Sequence, residues 1–130
     1  MRLLLDTSVL IDALRHRHRR RELLADLVQA GHTLATTALN VAEVYAGMRP
    51  EEAQRTEALL SVLDCYDLTG ASGRRAGALK HQWARKGRTL ALADMIVAAI
   101  ALERGCILMT DNRKDFPMEE VDKFDLPAAT

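Results

Sequence analysis

The chain opens on LLLDTSVLID, where three leucines run into Asp6 and apolar residues resume at Val9. A short unbroken apolar run closed by polar residues predicts a buried strand over Arg2–Leu5. Apolar spacing then becomes helical, predicting a helix from Val9 to about His16, with Thr7 or Ser8 as cap. The same alternation recurs along the chain. Arg21 to Ala30 reads as a helix ended by Gly31, Thr33 to Thr37 as a second strand, and Ala38 to Met48 as a helix capped by Thr37. Pro50 opens a helix reaching about Leu63. Cys65 to Leu68 is a third strand, and Ser72 to Lys86 a helix stopped by Gly87. Ala91 to Arg104 is the most apolar helix, stopped by Gly105, and Cys106 to Thr110 is a fourth strand. A fifth strand is expected near Val121 to Leu126. Strands alternating with helices predict an α/β fold: a central, mostly parallel sheet of four to five strands with helices on both faces. With no repeat or linker in 130 residues, positions 1–130 read as a single domain.

Ligands of such sheets sit beyond the carboxyl ends of the strands, so the polar residues there matter most. Asp6 ends the first strand. An Asp at a strand-to-helix junction is commonly a helix cap, yet Thr7 and Ser8 already supply capping groups. Glu43, in ALNVAEVYAGM, has Leu39, Asn40, Ala46 and Gly47 at helical spacing and no cation to pair with. A solvated surface Glu is the ordinary alternative. Asp94 is the only polar residue of the thirteen in LALADMIVAAIAL. A helix that apolar is buried on most sides, and a buried carboxylate is costly unless a helix terminus or a metal compensates it. An acid in the first helical turn is the bland account of its position. Asp111 and Asp115, in TDNRKDF after the fourth strand, read singly as turn residues.

Taken together these acids carry a different implication. Three or four carboxylates converge at one sheet edge with no histidine or cysteine beside them. Oxygen-only ligands suit a hard cation, Mg²⁺ or Mn²⁺. Without one, clustered carboxylates repel and raise one another's pKa values. Mg²⁺ held by few carboxylates and several waters is typically used on phosphates. Asp6 is thus expected to end the first strand as a metal ligand.

Composition narrows the setting. The longest apolar run, Leu90 to Leu102, is interrupted by Asp94 and too short to cross a bilayer. No signal-peptide pattern stands at the N-terminus. Cys65 and Cys106 lack metal-ligand spacing and read as small buried hydrophobes of a reducing compartment, so a cytoplasmic location is expected. The formal net charge is zero, so any contact with nucleic acid has to be local.

With LLLDTSVLI, ALNVAEVYAGM, KGRTLALADMIVAAIALERG and CILMTDNRKDFP in this order, the chain resembles the PIN-domain ribonucleases, specifically the VapC-type toxins of bacterial toxin–antitoxin pairs. The resemblance covers nearly the whole chain. It implies an acidic set of Asp6, Glu43, Asp94 and Asp115, with Asp111 replacing or assisting Asp115. It implies that Thr7, Ser8, Thr110 and Asn112 hydrogen-bond the acids or the substrate. Many relatives carry Ser or Thr ahead of the Glu, where Asn40 and Ala42 stand here. The implied activity is Mg²⁺- or Mn²⁺-dependent endoribonuclease cleavage of single-stranded RNA, such as a tRNA or rRNA loop. The implied partners are a cognate VapB-type antitoxin, forming a hetero-oligomer, and a second copy of the chain in a homodimer.

RHRHRRR, Arg15 to Arg21, holds five arginines and two histidines and is either a solvated helix junction or a phosphate-contacting edge. Lys80, His81, Arg85, Lys86 and Arg88 form a second basic stretch before Asp94. Arg15, Arg17, Arg19, Arg85 and Lys86 are the candidate RNA contacts. Trp83 is a candidate base-stacking platform, though a lone helical Trp is more often core or interface. Two other readings weigh less. A haloacid-dehalogenase-type phosphatase needs a second Asp two residues after the first, where Ser8 stands. A PIN-type RNA-binding module without activity would have a broken acidic set, and here all four positions are filled.

Overall fold

A computed structural model describes residues 1–128. Its sheet is β1 (Arg2–Leu5), β2 (Thr33–Thr37), β3 (Asp64–Tyr66) and β4 (Ile107–Met109), in the order β3-β2-β1-β4 and parallel throughout. The helices are α1 (Thr7–Leu14), α2 (Arg20–Gln29), α3 (Ala38–Ala46), α4 (Ala53–Ser61), α5 (Gly70–Arg85) and α6 (Leu92–Arg104). A 3-10 turn, Pro50–Glu52, precedes α4 and another, Arg113–Asp115, follows β4.

Alternation along β1 divides the core. Leu4 faces one side, with Ala35 and Leu108 and the apolar residues of α5 and α6. Leu3 and Leu5 face the other, with Leu34, Met109 and the apolar residues of α1 to α4. Side chains of successive strand residues point to opposite faces, so an unbroken Leu run requires helices on both. α6 buries Met95, Val97, Ala98, Ala99, Ile100 and Ala101, so nearly its whole circumference is enclosed. It ends where Gly105 turns left-handed at φ 63°, a conformation that an L side chain resists.

Three expectations need correction. The tail forms no fifth strand. Leu108 and Lys123 make one isolated parallel bridge, with Leu108 N–H donating to Asp122 O and Phe124 N–H to Leu108 O. Lys123 Nζ donates to the carbonyls of Met118 and Val121, curling the segment where a strand would extend. Cys106 is buried as expected, but Cys65 is exposed. The helix expected from Pro50 begins instead as the 3-10 turn. Glu52 there accepts a hydrogen bond from the Arg49 N–H and closes the turn.

The sheet order places the site. β2 and β4 lie on opposite sides of β1, and the segments that follow β1 and β4 go to opposite faces of the sheet, α1 to one and Phe116 and Met118 to the other, opening a crevice between their carboxyl ends. Asp6 and Thr110 stand at its two lips.

Candidate active site

Asp6 follows β1 directly, and its N–H donates to Met109 O at 2.9 Å, so the backbone at this point is locked to β4. It occupies the N-cap position of α1, yet its side chain makes no capping hydrogen bond. Both carboxylate oxygens are used otherwise. Thr110 Oγ1 donates to Oδ2 at 2.8 Å and Asn40 Nδ2 donates to Oδ1 at 3.2 Å. The residue is buried, and burial pushes its pKa up despite these donors.

Asn40 links three elements. It lies in the first turn of α3, fully buried, where its N–H donates to the capping Thr37 Oγ1 and its Oδ1 accepts from that hydroxyl at 2.7 Å. Its Nδ2 reaches Thr7 Oγ1 at 2.9 Å as well as Asp6. Thr7 passes the contact on, donating to Glu43 Oε1 at 2.8 Å. A continuous chain, Thr37–Asn40–Thr7–Glu43, thus aligns Glu43 with Asp6. The positions of Thr37 and Asn40 in this chain were not singled out from sequence. Their signal was there: a threonine three residues before an asparagine on an otherwise apolar helix.

Asp94 is the third residue of α6, where the helix dipole favours an acid, and Ala91 at the cap offers no side-chain acceptor. Its carboxyl is pushed up to about 6, first by burial and then by the charges of Asp6, Asp115 and Glu43. That repulsion places the four acids within one electrostatic neighbourhood. Asp111 is not among the charges felt by Asp94. Its carboxylate instead pairs with Arg20 at 2.9 Å. Of the two candidates after β4, Asp115 joins the set and Asp111 is drawn away. Asn112 N–H donates to Thr110 Oγ1 at 3.0 Å, and Asp115 N–H donates to Asn112 O, shaping the turn that delivers Asp115. Ser8 Oγ accepts a long 3.5 Å contact from the Asp111 N–H, and among the described residues its hydroxyl donates to no carboxylate.

The donor set is entirely oxygen, and its excess negative charge suits a divalent cation. Among the described residues, no three His, Cys, Asp or Glu side chains converge closely enough to form a complete cage. An ion that keeps part of its hydration shell and takes one or two carboxylates, as Mg²⁺ does, needs no such cage.

The basic candidates divide. Arg15 is committed to a structural ion pair, its Nε donating to Glu52 Oε2 at 3.1 Å and its Nη2 to Gly47 O. It is therefore not a free phosphate contact, being engaged with buried Glu52 alongside the Arg49 N–H and the Arg55 guanidinium. Arg17 and Arg19 are exposed, as are Arg85 and Lys86. Lys86 Nζ lies over the Trp83 ring at 4.5 Å, and Trp83 packs against the core, so its face is covered rather than presented to a base.

Comparisons with known proteins bear on the family and the fold. The PIN domain family model matches residues 3–123. Ribonuclease VapC19 of Mycobacterium tuberculosis is 31% identical over 115 residues, covering 88% of this chain and 92% of that one. The VapBC2 complex of Rickettsia felis bound to a promoter DNA fragment superposes with a TM-score of 0.80 at 23% identity, over 96% of this chain and 100% of that one. A toxin–antitoxin complex from Klebsiella pneumoniae superposes with a TM-score of 0.73 at 28% identity, over 88% and 89%. A parallel β3-β2-β1-β4 sheet, acids gathered at the carboxyl end of β1, and likeness along nearly the full length lead to one assignment: the chain belongs to the PIN-domain family, among its VapC members.

Proposed function

We propose that this chain is the endoribonuclease toxin of a toxin–antitoxin pair, cleaving single-stranded RNA with a divalent cation, Mg²⁺ or Mn²⁺. The observation that carries the reading is the grouping of Asp6, Glu43, Asp94 and Asp115, where burial first and then the charges of the other three acids push the Asp94 carboxyl up. Asp6 and Asp94 would hold the ion, with Glu43 and Asp115 at its margin. When bound, the ion would supply Lewis-acid chemistry, activating water and neutralising charge on the scissile phosphate. The chain's own residues do the rest. Thr110 and Asn40 fix both oxygens of Asp6, so the principal carboxylate does not rotate during turnover. Glu43 is exposed and held through Oε1 by Thr7, which leaves it oriented to align a water for in-line attack and to take its proton. Exposed Arg17, Arg19 and Arg85 are the proposed backbone contacts for the RNA.

Structural neighbours solved as VapBC complexes support the partner. A VapB-type antitoxin is proposed to bind this chain, inserting a cationic side chain among the acids, where a guanidinium finds carboxylates to pair with. A homodimer is proposed for the chain itself, giving a hetero-oligomer with the antitoxin. The test is a single-turnover assay on short single-stranded RNA with Mg²⁺, Mn²⁺ or EDTA. Metal-dependent cleavage that is lost in Asp94→Asn is expected. Metal-independent cleavage, or hydrolysis of small phosphomonoesters instead of RNA, would overturn the reading.

A further inference from the structure

Arg20 is the largest fully buried side chain of the described residues, an unusual place for a guanidinium. It begins α2, on the opposite side of β1 from α6, and reaches across to the loop after β4. Nη2 donates to Asp111 Oδ1 at 2.9 Å and to Pro127 O at 3.3 Å, and Nη1 donates to His18 O at 3.3 Å. Nε has no partner. Burying a cation with an unsatisfied N–H is costly, and the segment before it adds to the cost. His16, His18 and Arg19 all stand at φ 54°, the left-handed region that side-chain-bearing residues avoid. Strain and burial on this scale persist only where surrounding structure imposes them, and they concentrate at functional sites.

What Arg20 holds lies next to the acids. Asp111 directly follows Thr110, whose hydroxyl fixes Asp6. Four residues on from Asp111 is Asp115, whose charge acts on Asp94. From the other side, Arg88 Nη2 donates to Lys114 O at 2.7 Å. Arg113 of the loop is itself tied to Phe124 O and Asp125 Oδ1, both at 3.2 Å, but among the described residues only Arg20 grips a carboxylate of the loop.

We propose that Arg20 is a positioning residue of the acidic site: by clamping Asp111 it sets the loop that presents Thr110 to Asp6 and Asp115 to Asp94. The clamp has a second effect. Asp111 is neutralised and turned away, so the loop contributes one acid to the set rather than two. This inference rests on the functional reading above for its kinetic consequences and on the geometry alone for its structural ones.

The variants that decide are Asp111→Asn and Asp111→Ala. Asparagine keeps an oxygen for Arg20 to grip; alanine does not. With RNA and Mg²⁺, Asp111→Ala is expected to lower kcat about 10- to 100-fold with KM nearly unchanged, the loss that misplacement of a catalytic group by about 1 Å brings. Asp111→Asn is expected to keep kcat within about threefold of wild type. Equal losses in both variants would make Asp111 a chemical participant and overturn the clamp. No loss in either would reduce the pair to packing and overturn it as well. A second readout needs no RNA: amide hydrogen exchange over residues 110–116 should accelerate in Asp111→Ala and stay near wild type in Asp111→Asn. Unchanged exchange in Asp111→Ala refutes the clamp. If wild type cleaves no RNA yet the exchange pattern appears, the ribonuclease reading fails and the clamp stands. Arg20→Ala should reproduce Asp111→Ala; if it does not fold, the Asp111 pair still gives the answer.

Discussion

Among single residues, Asp94, the proposed ion ligand, is a charge held against the interest of the fold. Its carboxyl is pushed up to about 6 by burial and by Asp6, Asp115 and Glu43, against an ordinary value of 3.8. In the metal-free chain the native state therefore binds more protons than the unfolded state between those two values. Stability falls as pH rises through that window and levels off above it. Thermal melts in EDTA from pH 4 to 8 should show this decline for wild type, with a visibly shallower one for Asp94→Asn. At pH 7 the variant should melt higher, by about 2–6 °C, because a strained functional charge has been relieved. RNA cleavage should fall by orders of magnitude in the same variant. If Asp94 were only a first-turn helix acid, Asn would serve nearly as well and neither melt nor cleavage would move. This residue stands out in the sequence because a single carboxylate among twelve apolar neighbours is buried at a cost that a first-turn position only partly offsets. Arg20 does not. It lies in a run of arginines that composition treats alike, and nothing in RHRHRRR says which guanidinium is buried. Its partners, Asp111 and Pro127, are distant in sequence.

At the level of elements, the periods were readable and the junctions were not. The apolar runs of β1 and α6 announce themselves, since each must be enclosed. The link that ties α3 to β1 does not, because the contacts of Asn40 with Asp6 and Thr7 exist only once the strands have paired. Asn40→Leu strands the Thr37 hydroxyl, one oxygen of Asp6 and Thr7 together. It is expected to cost about 2–4 kcal/mol in urea denaturation, with buried polar groups left unsatisfied. Asn40→Ser, which keeps a donor, should cost less, and a larger cost for Ser than for the bulkier Leu would show that volume rather than hydrogen bonding matters there. The tail was misjudged for a related reason. Val121, Phe124 and Leu126 supply apolar residues but not strict alternation, and Lys123 satisfies local carbonyls. A second junction joins α1 to the turn before α4. Glu52 there is held down to about 2, chiefly by hydrogen bonds from Arg15 and the Arg49 N–H. Its contribution to stability is present above its ordinary 4.5 and is lost as pH falls from there toward 2. Glu52→Gln should flatten the acid limb of a stability–pH curve over that interval. An unchanged acid limb would mean that the Arg15–Glu52 pair contributes nothing to folding.

For the whole molecule, zero net charge conceals a strong local asymmetry. Asp6, Glu43, Asp94 and Asp115 come from four distant parts of the chain and meet at one edge of the sheet, so their repulsion is a property of the folded state. In the unfolded chain they are separated by dozens of residues and screened from one another. A divalent ion that answers this repulsion must bind the native state far better than the unfolded one, and mass action then converts binding into stability. At a hundredfold excess over its dissociation constant such an ion adds about 2.7 kcal/mol, enough to move the melting temperature by several degrees. Wild type should therefore show a Tm that climbs with Mg²⁺ or Mn²⁺ concentration and saturates, measured at constant ionic strength with Na⁺ as the compensating ion. The double variant Asp6→Asn/Asp94→Asn should begin from a higher metal-free Tm and gain little from either ion. It keeps the fold's hydrogen-bonding capacity while removing the charges that make the site. If the double variant gained as many degrees as wild type, the ion would be acting on the surface at large, and these acids would lose their claim to hold it.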